Sequence, residues 1–148
     1  SVKRPVETVD YGFAGDVKDV NTALLTMLLQ QNIVPVLSPL THDGKGNLLN
    51  TNADTIAAET AKALSAAFDV TLVYCFEKSG VLRDERDEAS VIPQMDKALF
   101  QRYRAAGVIR DGMIPKLENA FRAIDAGVKR VIITGASGIN SGGGTLIR

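Results

Sequence analysis

The sequence predicts an α/β fold in which a mainly parallel sheet is sandwiched between helices in three layers. Short apolar runs of strand length alternate with segments whose apolar residues recur every three or four positions. The strand-like runs are apolar on successive residues, which is typical of parallel strands buried on both faces. No repeat or linker interrupts the pattern, so residues 1–148 are expected to form one domain.

The composition narrows the class of protein. Seventeen basic and seventeen acidic side chains leave no net charge, and the chain has no Trp, so no nucleic-acid partner is expected. The single cysteine fits a reducing compartment. No apolar run approaches the ~20 residues that span a bilayer, and the polar first residues are unlike a signal peptide. We therefore expect a cytoplasmic protein with no membrane partner.

The first third of the chain predicts a helix, a strand and a hairpin. Residues 1–11 are expected to be extended, and a helix is expected from near residues 16–19 to Gln30, where apolar residues follow one stripe. The apolar run over residues 33–40 predicts a buried strand. An Asp-Gly pair within residues 41–47 predicts a hairpin turn.

The remainder predicts three helices and three strands, joined by polar or glycine-rich loops. Helices are expected over residues 53–68, 94–106 and 113–126. Strands are expected over residues 70–76, 130–134 and 145–148, a charged loop over 83–89 and a glycine-rich loop over 135–144. Ligands bind beyond the carboxyl ends of parallel strands, so the loops that follow the strands are where chemistry is expected.

Several familiar motifs do not account for the function. The glycine-rich loop has no Lys and therefore fails the P-loop pattern, and it opens no helix as a dinucleotide fingerprint does. It is interpreted as a flexible connection. The one histidine, His42, is interpreted as a solvated turn residue, and Cys75 as a buried, inert thiol rather than a nucleophile.

Three polar side chains precede the second helix. Asn50, Asn52 and Asp54 alternate, so in an extended segment they would share one face beside a helix N-terminus, where anions are favoured. The alternative interpretation makes Asn52 an N-cap and Asn50 a turn residue.

Lys116 follows the start of the last predicted helix, among apolar neighbours. Its ammonium group either reaches solvent along an apolar stem or is held as a positioned cation. Phosphoryl transfer needs a cation of that kind, and a nearby aspartate such as Asp54 would hold it in place and keep it charged.

Taken in order, these segments resemble motifs of the acetylglutamate kinases, within the amino acid kinase superfamily. Residues 49–54 are similar to their N-x-N-A-D segment, 112–116 to G-M-x-x-K, 79–82 to S/x-G-V-L, 143–147 to the closing G-T-x-I strand, and 9–17 to the segment before the first helix. The matches cover essentially the whole chain.

The resemblance implies ATP-dependent phosphorylation of the side-chain carboxylate of an N-acylated glutamate, with Mg²⁺ entering on the ATP phosphates. Asp54 would orient the catalytic lysines, and Lys116 would stabilise the transferring phosphoryl group. Asn50 and Asn52 would bind the amino acid substrate, with Asn52 also serving as a cap. The implied ATP site comprises Phe76, Glu77, Val108, Asp111 and Met113.

The sequence also departs from that family. The first strand of the family, with a second catalytic lysine, and its substrate-binding arginine have no counterpart, so the chain resembles the C-terminal, nucleotide-binding part of a longer kinase. Residues 76–78 replace the usual small-polar, Asp, Val run. The sequence does not distinguish an acetyl from a succinyl substrate. A homo-oligomer is implied only because members of the family commonly dimerise. A non-catalytic nucleotide or amino acid sensor is the main alternative, and a metabolite-binding domain without nucleotide is a third.

Overall fold

The computed structural model describes residues 11–110 and 112–148. Its helices are α1 (Thr22–Gln30), α2 (Ala53–Leu64), α3 (Lys97–Ala105) and α4 (Met113–Asp125). Its strands are β1 (Leu40–His42), β2 (Leu48–Asn50), β3 (Thr71–Phe76), β4 (Gln94–Met95), β5 (Arg130–Gly135) and β6 (Thr145–Ile147). The extended segment predicted before Tyr11 lies outside the described residues, as does Asp111.

Four strands form the main sheet, in the order β3–β5–β6–β4. The pairings of β3 with β5 and of β4 with β6 are parallel, and the pairing of β5 with β6 is antiparallel. The register of the long parallel pair runs from Thr71 opposite Arg130 to Phe76 opposite Gly135. The mainly parallel α/β sheet predicted from the sequence is confirmed.

Helices α2 and α4 pack on this sheet and on each other. Small residues on α2, Ala58 and Ala61, are buried and let the helix approach closely. The stripe predicted on α4 is buried at Leu117, Ala120 and Phe121. Helix α1 contacts α2, and α3 contacts α4. The neighbouring N-terminal ends of α2 and α4 are therefore set by one shared core.

Strand β3 is buried on one face only. Leu72 and Tyr74 are buried, whereas Val73 and Cys75 are exposed. The expectations of a strand buried on both faces and of a buried Cys75 thiol are wrong. The reason is that α2 packs only on the face of β3 that carries Leu72 and Tyr74.

The strand predicted over residues 33–40 is also wrong for most of its length. Residues 33–39 belong to no strand or helix, and only Leu40 enters β1. Val34 and Val36 are 81% and 93% exposed. A strand requires hydrogen bonds to a neighbouring strand, and Pro35 has no backbone N–H to donate. Apolar composition alone therefore did not make residues 33–39 a strand.

The hairpin predicted around the Asp-Gly pair is confirmed. Strands β1 and β2 pair antiparallel, with Thr41 opposite Leu49. The Asp43 carboxylate accepts hydrogen bonds from the backbone N–H groups of Lys45 and Asn47, at 2.7 and 3.2 Å. The side-chain hydrogen bond from Asn47, followed by the backbone bond from Lys45, holds the pKa of Asp43 below its usual range.

Two helices, α1 and α3, begin later than the apolar periodicity predicts, and a side-chain cap sets the start of each. Helix α1 begins at Thr22, later than predicted, because the Asn21 side chain accepts from the Leu24 N–H at 3.0 Å. Helix α3 begins only after Asp96, which caps it, and the preceding Gln94 pairs in β4 instead. No helix in the described part of the chain is long and apolar enough to cross a membrane.

Candidate active site

Asp54 and Lys116 meet where α2 and α4 begin. Asp54 is the second residue of α2 and Lys116 the fourth of α4. The Lys116 Nζ lies 2.9 Å from Asp54 Oδ2, and the two side chains are 30% and 25% exposed. The pair is therefore partly buried but open to solvent on one side, as a group that contacts a ligand must be.

The two charges relate differently to their helices. An aspartate in the first turn of α2 is favoured by the positive end of the helix dipole, whereas a lysine in the first turn of α4 is not. No side chain caps α4 at Gly112. The Lys116 ammonium is thus held against the local dipole, and its neighbours must supply the compensation.

The aromatic ring of Phe76 supplies part of that compensation. The Lys116 Nζ lies 3.8 Å from the centroid of the Phe76 ring, within cation–π range. The Tyr74 and Phe76 rings stack with centroids 6.0 Å apart and planes 10° apart. The Tyr74 hydroxyl donates a hydrogen bond to the backbone carbonyl of Asp54 at 3.2 Å.

Tyr74 is a neutral donor at this position. Burial, reinforced by the negative charge of Asp54, raises the pKa of Tyr74 to about 12, while Arg122 opposes the shift and Glu59 adds slightly to it. The phenol therefore stays protonated at neutral pH. It ties the start of α2 to β3 without adding charge to the site.

A cleft of about 230 Å³ lies at the start of α4. It is lined by the turn after β3, the segment between α3 and α4, and the first residue of α4: Lys78, Gly80, Val81, Leu82, Glu85, Val108, Ile109, Arg110 and Met113. Because Met113 and Lys116 share the first turn of α4, the cleft and the ion pair adjoin.

The residues assigned to ATP by resemblance fall into different places. Val108 and Met113 line the cleft. Phe76 lies against Lys116 instead, and Glu77 is exposed and not among the lining residues. Asp111 lies outside the described residues.

One residue of the cleft lining, Glu85, belongs to a self-bonded loop over residues 83–90. The Ser90 hydroxyl bonds to the carbonyl groups of Asp84 and Asp87, at 3.0 and 2.6 Å. The Glu88 carboxylate from this loop pairs with Lys78 Nζ at 3.1 Å. The loop therefore has a defined conformation, and the cleft carries the positive charges of Lys78 and Arg110 together with the negative charge of Glu85.

Glycines bring the strand ends together beneath the cleft. A Cβ on Gly80 would approach Val91 to 2.9 Å, and the Thr145 hydroxyl accepts from the Val81 N–H at 2.9 Å. Within residues 135–144, a Cβ on Gly138 would collide with the Thr134 hydroxyl, and Ala136–Gly138 form a short 3₁₀ turn. The first part of this loop is therefore packed closely against the end of β5.

The polar stretch before α2 does not form one extended face. The Asn52 side chain caps α2 by accepting from the Thr55 N–H at 3.1 Å, so Asp54 is already helical. Asn50 ends β2 and is exposed, and its backbone bonds to Phe13 and Gly15 at 2.7 and 2.9 Å. The Asn52 cap is confirmed. Asp54 reaches Lys116 from within α2, and not from an extended segment whose side chains alternate.

His42 is the last residue of β1, and its Nδ1 accepts from the Gly44 N–H at 3.1 Å. Its side chain is exposed, as the sequence interpretation held. Among residues 11–110 and 112–148, no group of three or more His, Cys, Asp or Glu side chains is placed to hold a metal ion.

Sequence reasoning missed the roles of Tyr74 and Phe76. Their spacing of two in a strand predicts a shared face. Nothing local in the sequence indicates that α2 and α4 would bring Asp54 and Lys116 onto that face.

Comparison with known proteins identifies the family of this chain. A sequence profile of the amino acid kinase family matches residues 3–135, and the chain belongs to that family. It is 68% identical over 148 residues to the acetylglutamate kinase of Bacteroides fragilis and 66% identical to that of Phocaeicola vulgatus. The resemblance to acetylglutamate kinases is confirmed. All of this chain is covered, but only 57% and 58% of those two proteins, so it spans little more than half their length.

Solved structures show the same fold. The protein smu.665 from Streptococcus mutans UA159 matches with a TM-score of 0.75 and 32% identity, over 95% of this chain and 54% of that one. An N-acetylglutamate synthase from Neisseria gonorrhoeae, complexed with coenzyme A and L-arginine, matches with a TM-score of 0.74. That match has 24% identity and covers 97% of this chain and 35% of that one, so it supports the fold alone.

Proposed function

We propose that this chain is the nucleotide-binding part of an acetylglutamate kinase, which phosphorylates the side-chain carboxylate of N-acetyl-L-glutamate with ATP. The observation that carries the proposal is the Lys116–Asp54 pair, 2.9 Å apart at the adjoining starts of two helices and next to a cleft. The relatives at 64–68% identity bear the name of this activity.

Phosphoryl transfer requires positioned charges and no covalent bond between the protein and the substrate. A carboxylate oxygen of the substrate forms a bond to the γ-phosphorus of ATP, the bond from that phosphorus to the bridging oxygen breaks, and ADP leaves with the electron pair. The attacking carboxylate is already ionised, so no general base is needed. The barrier is dominated by bringing anionic groups together, which a fixed cation lowers.

Lys116 fits the role of that cation, and Asp54 fits the role of its orienting partner. A carboxylate 2.9 Å away restricts the rotamers of the lysine side chain. Because the pair is partly exposed, the Lys116 ammonium can also contact phosphoryl oxygens. Asp54 has no proton to remove in this reaction, and its task is therefore orientation.

The cleft fits the nucleoside and the first phosphates. Its apolar residues, among them Leu82, Val108 and Met113, suit a base, while Lys78 and Arg110 suit anionic or hydroxyl groups. The resemblance also implies a role for Glu77 and Asp111 in nucleotide binding. Asn50 and Asn52 are placed on the substrate side, where the free amide N–H₂ of each can donate to a carboxylate.

Magnesium bound with ATP would neutralise part of the phosphate charge, and the phosphate oxygens would supply most of its ligands. Cytoplasmic location and homo-oligomerisation are further expectations from the family.

The test uses the protein from its complete gene. We expect ADP release that depends on N-acetyl-L-glutamate, with an acyl phosphate that hydroxylamine traps as a hydroxamate. N-Succinyl-L-glutamate and free glutamate are the comparison substrates and decide the acyl group. The 148 residues alone should bind ATP with negligible turnover. ATP binding by the complete protein without ADP release for any of these substrates would instead favour a sensor.

A further inference from the structure

Phe76 contacts the lysine of the proposed site rather than the nucleotide cleft. The centroid of its ring lies 3.8 Å from Lys116 Nζ, and Phe76 is not among the residues that line the cleft. Resemblance had assigned this position to ATP. In the structure, Phe76 contacts the Lys116 ammonium instead.

The Phe76 ring is held in place by the core and by Tyr74. Phe76 is partly buried against the core, and it stacks on Tyr74 with the planes 10° apart. Tyr74 is 4% exposed, and its hydroxyl is bonded to the Asp54 carbonyl. One face of β3 therefore supports both members of the ion pair, the aspartate through the start of its helix and the lysine through its ammonium group.

An aromatic ring is well suited to this task. A lysine side chain has many rotamers, and a single carboxylate contact leaves its ammonium free to pivot. A second carboxylate would restrain the ammonium but would also add negative charge beside an incoming phosphoryl group. The face of a ring attracts the cation while it carries no net charge, so the positive charge stays available.

We propose that Phe76 is a positioning residue for phosphoryl transfer, whose ring holds the Lys116 ammonium in place. This inference rests on the proposed function, since it assigns Lys116 to the transferring phosphoryl group. It predicts that loss of the ring affects the chemical step and not the binding of ATP.

The kinetic test compares Phe76→Leu with Phe76→Tyr in the complete protein. The leucine keeps apolar volume but removes the ring, whereas the tyrosine keeps the ring. We expect Phe76→Leu to lower kcat about five- to thirtyfold with the KM for ATP nearly unchanged, and Phe76→Tyr to retain most of the activity. The matched control is Tyr103→Leu, which removes the cation–π contact made by Arg102 at 5.9 Å on α3.

Three kinetic results would overturn the proposal. A raised KM for ATP with kcat retained would return Phe76 to nucleotide binding. Retained kcat in Phe76→Leu would show that the ring is dispensable. Equal losses in the leucine and tyrosine variants would show that the ring itself is not what matters.

An NMR measurement tests the contact without using activity. In the complete protein carrying ¹³C at the lysine ε-carbons, the ε-protons of Lys116 should be shifted upfield by the ring, and the shift should vanish in Phe76→Leu. A Lys116→Met variant assigns the signal. An unshifted signal would overturn the proposal. If the chemical shift is present but the wild-type protein releases no ADP, the proposed kinase function is wrong, and the positioning role of Phe76 is wrong with it. If the wild type is active and Phe76→Leu has the same kcat, only the positioning role of Phe76 is wrong.

Discussion

Lys116 and Asp54 form an ion pair of 2.9 Å across 62 residues of chain. Neither residue is placed by its own helix alone, because the pair exists only where the starts of α2 and α4 adjoin. The contact therefore depends on the core that packs these helices on the sheet, and its chemistry can be separated from its contribution to stability.

Loss of either partner should affect catalysis far more than folding. We expect Asp54→Asn or Lys116→Met to lower kcat roughly a hundredfold or more in the complete protein, while the free energy of unfolding changes by about 1 kcal/mol or less. Because the residues act as one unit, the double variant should lose little more than the worse single variant. Steady-state ADP release and denaturant unfolding measure the two effects.

The control for this pair is Asp125→Asn. It breaks the exposed Lys97–Asp125 pair of 2.7 Å and should leave kcat unaltered. A large loss of stability with Asp54→Asn would identify Asp54 as structural instead.

Lys78 should contribute to nucleotide binding. Its side chain lines the cleft and is held by Glu88 at 3.1 Å. We expect Lys78→Met to raise the KM for ATP about tenfold, because one charged contact to the nucleotide is lost, and the difference should shrink at high salt. Lys129→Met, which breaks the surface pair with Asp69, is the control. An unchanged KM for ATP in Lys78→Met would exclude Lys78 from the binding site.

Asn52 should show two separable roles. Its side-chain oxygen caps α2, so Asn52→Ala should lower the free energy of unfolding by about 1 kcal/mol. Asn52→Ser keeps a capping oxygen but loses the amide N–H₂, so it should restore stability while the KM for N-acetyl-L-glutamate stays raised. Asn50→Ala should raise that KM without a loss of stability. If Asn52→Ser restores both quantities, Asn52 is only a cap.

Tyr74 should make folding stability depend on alkaline pH. Its pKa in the folded protein is raised to about 12 from an ordinary value of 10.0, so the unfolded chain ionises first. The contribution to stability is therefore complete below pH 10 and is lost as the pH rises toward 12. Tyr74→Phe should weaken the dependence, whereas Tyr11→Phe, at an exposed tyrosine, should not. Denaturant unfolding at a series of pH values measures the difference, and parallel curves for Tyr74→Phe and wild type would contradict it.

Gly144 should be intolerant of any side chain. Its φ is +119°, and a Cβ there would collide with the Ile133 carbonyl oxygen. We expect Gly144→Ala to cost more than about 2 kcal/mol of stability, through backbone strain and displacement of the neighbouring strand end. Gly142→Ala is the matched control, because Gly142 also has a positive φ, +70°, but open space around it, so about 1 kcal/mol is expected. Similar losses at both positions would show that the close contact is unimportant.

Local features of the chain were predictable from the sequence. The Asn52 cap and the Asp43-Gly44 hairpin depend on residues only a few positions apart. The stripe on α4 is likewise a property of one helix. Such features need only the short-range preferences of the backbone and its caps. The motifs that resemble the kinase family also pointed to Asp54 and Lys116 from the sequence alone.

Burial and long-range contact were decided by the tertiary structure. Apolar composition predicted burial for residues 33–40 and for Cys75, yet both are largely exposed, because burial requires a neighbouring element that composition does not specify. The contact of Phe76 with Lys116 was equally invisible, since it joins a strand to the start of a helix 40 residues later in the chain. The sequence by itself determined most of the helices, the Asn52 cap, the hairpin and the identity of the charged pair. Only the packing of α2 and α4 on one face of β3 decided which side chains surround that pair, because a contact is a property of two elements and their mutual position.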